Sequence, residues 1–151
     1  MKFTQLSYLS VGVFTESHSS GIIKVRDGNG GGFVGNITGS GAQISKSYTT
    51  STVIDVLGNS GGFVGSVNAG ALVTQSYSDG SIHGGGYGIG GFFGYVRGIG
   101  AKVTKSFSRG IVFGADQVGG FGGWIKDGGV VEDSYSLSSV TSNYWQLDSL
   151  E

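Results

Sequence analysis

The chain has no cysteine and no proline, and charged residues make up only 13% of its 151 residues. Without cysteine it can form neither a disulfide scaffold nor a thiolate zinc site, and without proline it does not have a collagen composition. The net charge of −1 argues against a broad basic surface for nucleic acid. No run of about 18 apolar residues is present, so we expect no membrane insertion. The 12% aromatic content, with so little charge, argues against a disordered chain.

Glycine is the residue that the sequence has in excess, with 32 copies in 151 residues. Its usual share is about 7%, and it weakens both helices and strands. A fold that tolerates this much glycine must use it at special positions that recur. Corners with positive φ and narrow parts of a coil are such positions.

A composite motif recurs along the chain at a spacing of 29 or 30 residues. Its first block is Gly-Gly followed by an aromatic residue, and the aromatic positions are Phe33, Phe63, Phe92 and Phe121. Its second block is Ser followed by an aromatic residue, at Tyr48, Tyr77, Phe107 and Tyr135, with His18 in the same register. Such a period is typical of stacked repeats, which bury together the apolar face that one repeat cannot bury alone.

Each repeat divides into short β-branched or aromatic segments separated by glycine and small polar residues. In the best-formed repeat these segments are 61–67, 71–77 and 81–83. We therefore predict an all-β chain that forms a parallel β-solenoid (β-helix) of about five coils, with roughly 29 residues and three short strands per coil. It is a single repeat domain, 1–151, with coils at approximately 1–32, 33–62, 63–91, 92–120 and 121–149. The eight repeated Phe and Tyr residues are assigned to its structural core. An antiparallel two-sheet sandwich is the alternative.

Both ends of the sequence carry a specific expectation. The N-terminal run 1–13 is interrupted by polar residues and has no small-residue cleavage site, so it is predicted to be a strand rather than a signal peptide. Tyr144 and Trp145 are predicted to cap the open end of the solenoid, where strand edges would otherwise be free to pair. Leu150-Glu151 is interpreted as a cloning-site remnant.

The repeats resemble the GLUG motif repeats of bacterial surface proteins. The resemblance covers about residues 14–146 and is carried by Gly-Gly-Phe-Val-Gly at 31–35, the run 70–78 and Gly-Ser-Ile at 80–82. The segment 142–145 is similar to the aromatic end of such arrays, although Gln146 stands where the family has Asp. The resemblance implies an extracellular or cell-surface setting and transfers no ligand-contact residue.

Catalytic and metal chemistry find little support in the sequence. The two histidines, His18 and His83, do not form a His-Glu-x-x-His motif, and we assign them structural roles. The recurrent serines are expected to form a column of hydrogen-bonded hydroxyls. The run 27–31 has the Asp and Asn spacing of a calcium loop, but it lacks the distal Glu and is interpreted as a turn. We predict no cofactor, no metal site and no catalytic residue, although Asp79 and Asp116, with Arg109, are candidates if the chain is a polysaccharide-active β-helix enzyme.

Side chains that do not recur are the better candidates for a ligand site, because recurring ones build the coil. Aromatic rings and arginines favour binding surfaces, and the candidates are Tyr87, Tyr95, Arg97, Arg109, Phe113 and Trp124. We predict a non-enzymatic extracellular adhesion module that recognises a glycan or a cell-surface protein. The alternatives are a passive spacer of a larger surface protein and the enzyme named above. Self-association through the ends or sides of the solenoid is a further expectation.

Overall fold

The computed structural model of the protein describes residues 1–3, 5–55 and 57–142. In these residues the chain forms 25 short strands and no helix, and the strands form five parallel sheets of a β-solenoid with about five turns. The predicted fold class is therefore confirmed. The predicted cap at Tyr144 and Trp145 and the residues 150–151 lie outside the described part of the chain.

Each of the second to fifth coils contains five strands in chain order. β1 (Lys2–Phe3) pairs with β4 and so belongs to an incomplete coil that precedes the first. The first coil contains the four strands β2 (Leu6–Leu9), β3 (Gly12–Thr15), β4 (His18–Ser19) and β5 (Ile22–Val25). The second contains β6 (Asn29–Gly31), β7 (Val34–Ile37), β8 (Ala42–Ser45), β9 (Tyr48–Thr49) and β10 (Thr52–Asp55). The third contains β11 (Asn59–Gly61), β12 (Val64–Asn68), β13 (Leu72–Thr74), β14 (Tyr77–Ser78) and β15 (Ser81–Gly84). The fourth contains β16 (Ile89–Gly90), β17 (Phe93–Arg97), β18 (Lys102–Thr104), β19 (Phe107–Ser108) and β20 (Ile111–Gly114). The fifth contains β21 (Val118–Gly119), β22 (Gly122–Lys126), β23 (Val130–Glu132), β24 (Tyr135–Ser136) and β25 (Ser139–Ser142).

Equivalent strands of successive coils pair to form the five sheets, which we number in the order in which a coil passes through them. Sheet I contains β6, β11, β16 and β21, and sheet II contains β2, β7, β12, β17 and β22. Sheet III contains β3, β8, β13, β18 and β23. Sheet IV contains β1, β4, β9, β14, β19 and β24, and sheet V contains β5, β10, β15, β20 and β25. The register repeats the sequence period, since Val53 lies opposite Ile23 on one side and Ile82 on the other.

A coil has five strands rather than the predicted three because the chain bends inside two of the predicted segments. Segment 61–67 is interrupted at Gly62 and Phe63, and segment 71–77 at Gln75 and Ser76. The second bend recurs at one corner of every coil with a left-handed residue that is not glycine, with φ of 47–50° at Glu16, Lys46, Gln75, Lys105 and Asp133. Neither glycine nor proline marks this corner, so sequence patterns gave no signal for it.

The interior contains two apolar clusters. The larger lies between sheets II and III and contains the predicted phenylalanine column. The rings stack almost parallel, with centroids 4.7 Å apart for Phe33 and Phe63, 4.8 Å for Phe63 and Phe92, and 5.0 Å for Phe92 and Phe121. The first three rings are fully buried, while Phe121 in the last coil is half-buried. The smaller cluster lies between sheets V and I and consists of Ile23, Val53, Ile82, Ile89 and Val112.

A column of buried hydroxyls on sheet IV separates the two clusters. Ser19 Oγ donates a hydrogen bond to the carbonyl of Gly32 at 2.7 Å, across the coil. Three coils later Ser108 Oγ donates to the carbonyl of Gly120 at 2.8 Å. The Gly-Gly pair is required by this close approach, because a Cβ added at Gly62 would overlap both the neighbouring backbone and a column hydroxyl. Each coil is therefore pinched in the middle.

The second aromatic column stacks as predicted, but it lies on the outer surface of sheet IV. Its centroid separations are 4.9–5.4 Å, from His18 through Tyr48, Tyr77 and Phe107 to Tyr135. The assignment of Tyr48, Tyr77, Phe107 and Tyr135 to the core is therefore wrong, since these rings are half-buried or exposed. We call this column, with His18, the outer ladder.

The left-handed corner explains why the outer ladder faces solvent. Side chains alternate along an unbroken strand, which would place Val73 and Tyr77 on the same side. The bend at Gln75 reverses this alternation, so that Ser76 faces inward and Tyr77 outward. The inward serines form the predicted column, because the backbone N–H of Ser47 donates to Ser76 Oγ at 3.2 Å and that of Ser76 to Ser106 Oγ at 3.2 Å.

Candidate functional site

The outer surface of sheet II changes from polar to aromatic along the solenoid axis. The strand register places one outward column at Tyr8, Asn36, Ser66, Tyr95 and Trp124. A neighbouring column on the same surface contains Asn68, Arg97 and Lys126. The fourth and fifth coils therefore bring two aromatic rings next to two cations, all held by paired strands.

The Trp124 indole lies back over the preceding coils. Its Nε1–H donates a hydrogen bond to Asn59 Oδ1 at 3.2 Å, and Asn59 belongs to β11 in the third coil. Between them lies Gly88, where an added Cβ would be 2.5 Å from the indole nitrogen. The φ of Gly88 is +64°, a left-handed conformation that favours glycine. Gly88 thus provides a notch in which the half-buried indole rests.

Tyr95 and Lys126 lie beside the indole. The Tyr95 and Trp124 ring centroids are 5.7 Å apart, with the ring planes at 52°. The Lys126 ammonium lies over the indole, 5.1 Å from the ring centroid. Arg97 Nε forms an ion pair of 2.8 Å with Asp127 Oδ2, so its charge is already balanced.

Four of the six predicted binding residues therefore lie in one region. Tyr95, Arg97 and Trp124 share the surface of sheet II, and Tyr87 precedes Gly88 in the adjoining bend, where it is 63% exposed. We call these four residues and Lys126 the aromatic face. Tyr87 is exposed, and Tyr95 and Trp124 are partly exposed on paired strands, which suits the recognition of an external ligand.

The other two predicted residues lie elsewhere on the coil. Phe113 belongs to sheet V, where its ring centroid is 5.9 Å from that of His83. Arg109 follows sheet IV, where its Nη2 forms a 2.9 Å ion pair with Asp79 Oδ2. Its guanidinium carbon is 6.0 Å from the Tyr77 ring centroid. The structure thus does not combine Arg109 or Phe113 with the aromatic face.

A surface recess adjoins the outer ladder at the Asp79–Arg109 pair. It has a volume of about 260 Å³ and is lined by Thr50, Thr52, Asp79, Gly80, Ser81, Gly110 and Ile111. The hydrogen bond and the charge of Asp79 raise the pKa of Arg109 above its ordinary value. Burial, with a smaller contribution from Tyr48, raises the pKa of Tyr77, and Arg109 opposes this shift. Arg109 and Asp79 are already paired with each other, and the inner rings of the outer ladder cover one another's faces. This region is therefore a weaker candidate for a ligand site than the aromatic face.

Sequence reasoning missed three residues of the site, namely Asn59, Lys126 and Asp127. Asn59 has an equivalent in Asn29 of the preceding coil. Because it recurs, the sequence pattern assigns it to the repeat and not to a ligand site. Lys126 and Asp127 become relevant only through their positions beside Trp124 and Arg97. The repeat register could have placed Lys126 beside Arg97, but no sequence signal shows that an indole folds back over two coils.

A buried carboxylate outside these surfaces has structural hydrogen-bond partners. The Asp55 carboxylate is buried and accepts hydrogen bonds from the backbone N–H groups of Leu57 and Gly58 and from the Ser60 hydroxyl. Of the predicted turn at 27–31, residues 27 and 28 form a bend, and residues 29–31 form the strand β6. Among residues 1–3, 5–55 and 57–142, no three or more His, Asp or Glu side chains are grouped so that they could hold a metal ion.

The chain matches no protein-family profile, no curated protein and no solved structure. In the part of the chain that the structure describes, no helix is long and apolar enough to cross a membrane.

Proposed function

We propose that the protein is a non-enzymatic binding module of an extracellular, adhesin-like surface protein, and that its aromatic face binds a glycan. In this proposal the solenoid is a rigid scaffold, and the residues that do not recur from coil to coil recognise the ligand. The resemblance of the repeats to GLUG motif repeats supports the surface setting.

The position of the Trp124 indole is the observation that carries this proposal. An indole that lies along the surface offers a broad apolar face with a polarised π system, on which the C–H face of a sugar ring can stack. The Asn59 hydrogen bond and the Gly88 notch hold this ring before any ligand arrives, so little side-chain entropy is lost on binding. Tyr95 and the exposed Tyr87 extend the aromatic surface on which further sugar units can pack.

The experiment is a glycan array probed with the whole chain, followed by titration of the best glycan into wild-type protein and two variants. Trp124→Ala removes the indole. Tyr8→Ala is the matched control, because Tyr8 is an exposed ring in the same outward column at the opposite end of sheet II. Circular dichroism confirms that both variants are folded.

We expect Trp124→Ala to lower the affinity by about tenfold or more, and Tyr8→Ala to leave it within about twofold. Equal losses in the two variants would contradict a site at the aromatic face. Absence of binding by the wild-type protein to any glycan and to any bacterial or host cell surface would favour the passive spacer. Release of sugar from a polysaccharide panel would instead support an enzyme.

A further inference from the structure

We infer that the glycan bound at the aromatic face is acidic, with a sugar carboxylate that pairs with Lys126 while the sugar ring stacks on Trp124. This inference rests on the proposed function and adds the chemical class of the ligand. It depends on the arrangement of the charged side chains in the fourth and fifth coils.

The strand register places two cations directly opposite each other. Arg97 in β17 is the partner of Lys126 in β22, and like charges facing each other across a strand pair are destabilising. Asp127 neutralises Arg97 through an ion pair of 2.8 Å. In the described residues Lys126 has no carboxylate within ion-pair distance, and its ammonium lies over the indole instead. Lys126 is therefore a cation of the aromatic face that has no ion-pair partner among the described residues.

This charge and the stacking surface are close enough to bind one sugar residue together. The Lys126 ammonium is 5.1 Å from the Trp124 ring centroid. An acidic sugar carries its carboxylate on a ring carbon, so a sugar ring stacked on the indole brings its carboxylate to the edge of the same ring. The lysine side chain has a flexible four-carbon stem, which lets the ammonium move from the ring face to that edge. A charge-assisted hydrogen bond between the ammonium and the sugar carboxylate would then replace the cation–π contact, and an exposed cation–π contact is the weaker of these two interactions.

The preceding coils of the same surface are neutral, so recognition of the charge is confined to this end. Asn68 occupies the column of Arg97 and Lys126 in the third coil. Asn36 Oδ1 accepts hydrogen bonds from Ser66 Oγ at 2.7 Å and from Asn68 Nδ2 at 2.6 Å. These side chains carry no formal charge and are already hydrogen-bonded to one another, and Ser66 is fully buried.

The test uses the full chain and a panel of uronic-acid and sialic-acid oligosaccharides. Each is paired with its carboxyl-reduced form, in which a primary alcohol replaces the carboxylate. Affinities are measured by calorimetry for the wild type, Lys126→Gln, Lys126→Arg and the control Lys105→Gln. Lys105 is an exposed lysine at the corner between sheets III and IV, outside the aromatic face.

For at least one pair we expect the wild type to bind the acidic form about tenfold more tightly than the reduced form, a difference that disappears in Lys126→Gln. Lys126→Arg should keep most of the preference, and Lys105→Gln all of it. Added salt should weaken binding of the acidic form only.

Three results would overturn the inference in distinguishable ways. Equal binding of acidic and reduced forms, lost in Trp124→Ala, would remove the inference and keep the proposed function. A preference for the acidic form that survives in Lys126→Gln would show that a group other than Lys126 binds the sugar carboxylate. If no acidic form binds, the inference fails, and the neutral glycans of the array then decide the proposed function separately.

Discussion

The indole nitrogen of Trp124 donates a hydrogen bond to Asn59 at 3.2 Å, although the two residues are 65 positions apart in the chain. The two residues are close in space because the coils stack, so that equivalent strands of successive coils lie side by side. The same bond fixes the orientation of the ring over Gly88. Binding at the aromatic face should therefore depend on a residue that does not belong to that face.

We expect Asn59→Ala to weaken glycan binding by about threefold to tenfold, because a neutral hydrogen bond contributes about 0.5–1.5 kcal/mol. The free energy of unfolding should fall by no more than about 1 kcal/mol, since the bond is only partly buried. Calorimetry and urea denaturation measure the two quantities. Asn29→Ala is the control, because Asn29 lies opposite Asn59 in the adjacent strand of sheet I. Equal effects of the two substitutions on binding would show that Asn59 does not position the indole.

Gly62→Ala should strongly destabilise the solenoid. The added Cβ would overlap the carbonyl of Gly91 and the hydroxyl of Ser78, at the point where each coil is pinched. Overpacking of this kind costs about 1–3 kcal/mol, and here the backbone has little room to relax. At Gly41 the nearest atom to an added Cβ is Val11 Cγ1 at 3.8 Å, so Gly41→Ala should be tolerated. Thermal unfolding of both variants checks this, and similar melting temperatures would contradict the pinched coil.

Two equivalent serines of the hydroxyl column should respond differently to alanine. Ser108 Oγ donates to the carbonyl of Gly120 and also contacts Ser136 Oγ at 3.1 Å. Ser78 Oγ is buried and has no hydrogen-bond partner in the described residues. Ser108→Ala should cost about 1–3 kcal/mol, whereas Ser78→Ala should be nearly neutral or stabilising. Denaturant unfolding measures the difference, and a larger loss at Ser78 would contradict this assignment.

Tyr77 should contribute to alkaline destabilisation. Burial raises the pKa of its phenol above the ordinary value of 10.0, with further contributions from Tyr48 and Asp79, while Arg109 opposes them. The folded state therefore favours the neutral phenol. Its contribution is complete below the ordinary pKa and is lost as the pH rises through the raised pKa of the folded state. Between about pH 9 and pH 11, Tyr77→Phe should lose less unfolding free energy than the wild type. Parallel losses in the two proteins would show that this phenol is not responsible.

The repeat period predicted the axial order of the fold but not the shape of one coil. The spacing of Phe33, Phe63 and Phe92 placed these rings in one buried stack, since any parallel solenoid aligns equivalent residues. The corner at Gln75 could not be predicted, because a left-handed conformation at a long polar residue has no local sequence signature. That corner determines both the number of strands and the outward direction of Tyr77.

The candidate site was predictable only as a set of variable residues. The absence of a recurrent pattern selected Tyr95 and Trp124, and their register could have been derived from the repeat. The same criterion also selected Arg109 and Phe113, which lie on other sheets. The fold-back of the indole toward Asn59 depends on a side-chain conformation, and a repeat pattern carries no information about that.

The ladder hydrogen bonds that join one coil to the next run along the solenoid axis, while the strands run across it. A force that pulls the two ends apart loads the bonds between coils, and the coils can peel from an end one after another. Each released coil of about 29 residues adds extended chain of about 3.3–3.6 Å per residue, or about 100 Å. A longer protein tethered through this domain would lengthen in steps of that size under tension. The strand pairing that holds the coils together would then also dissipate mechanical energy, as the coils unfold one after another.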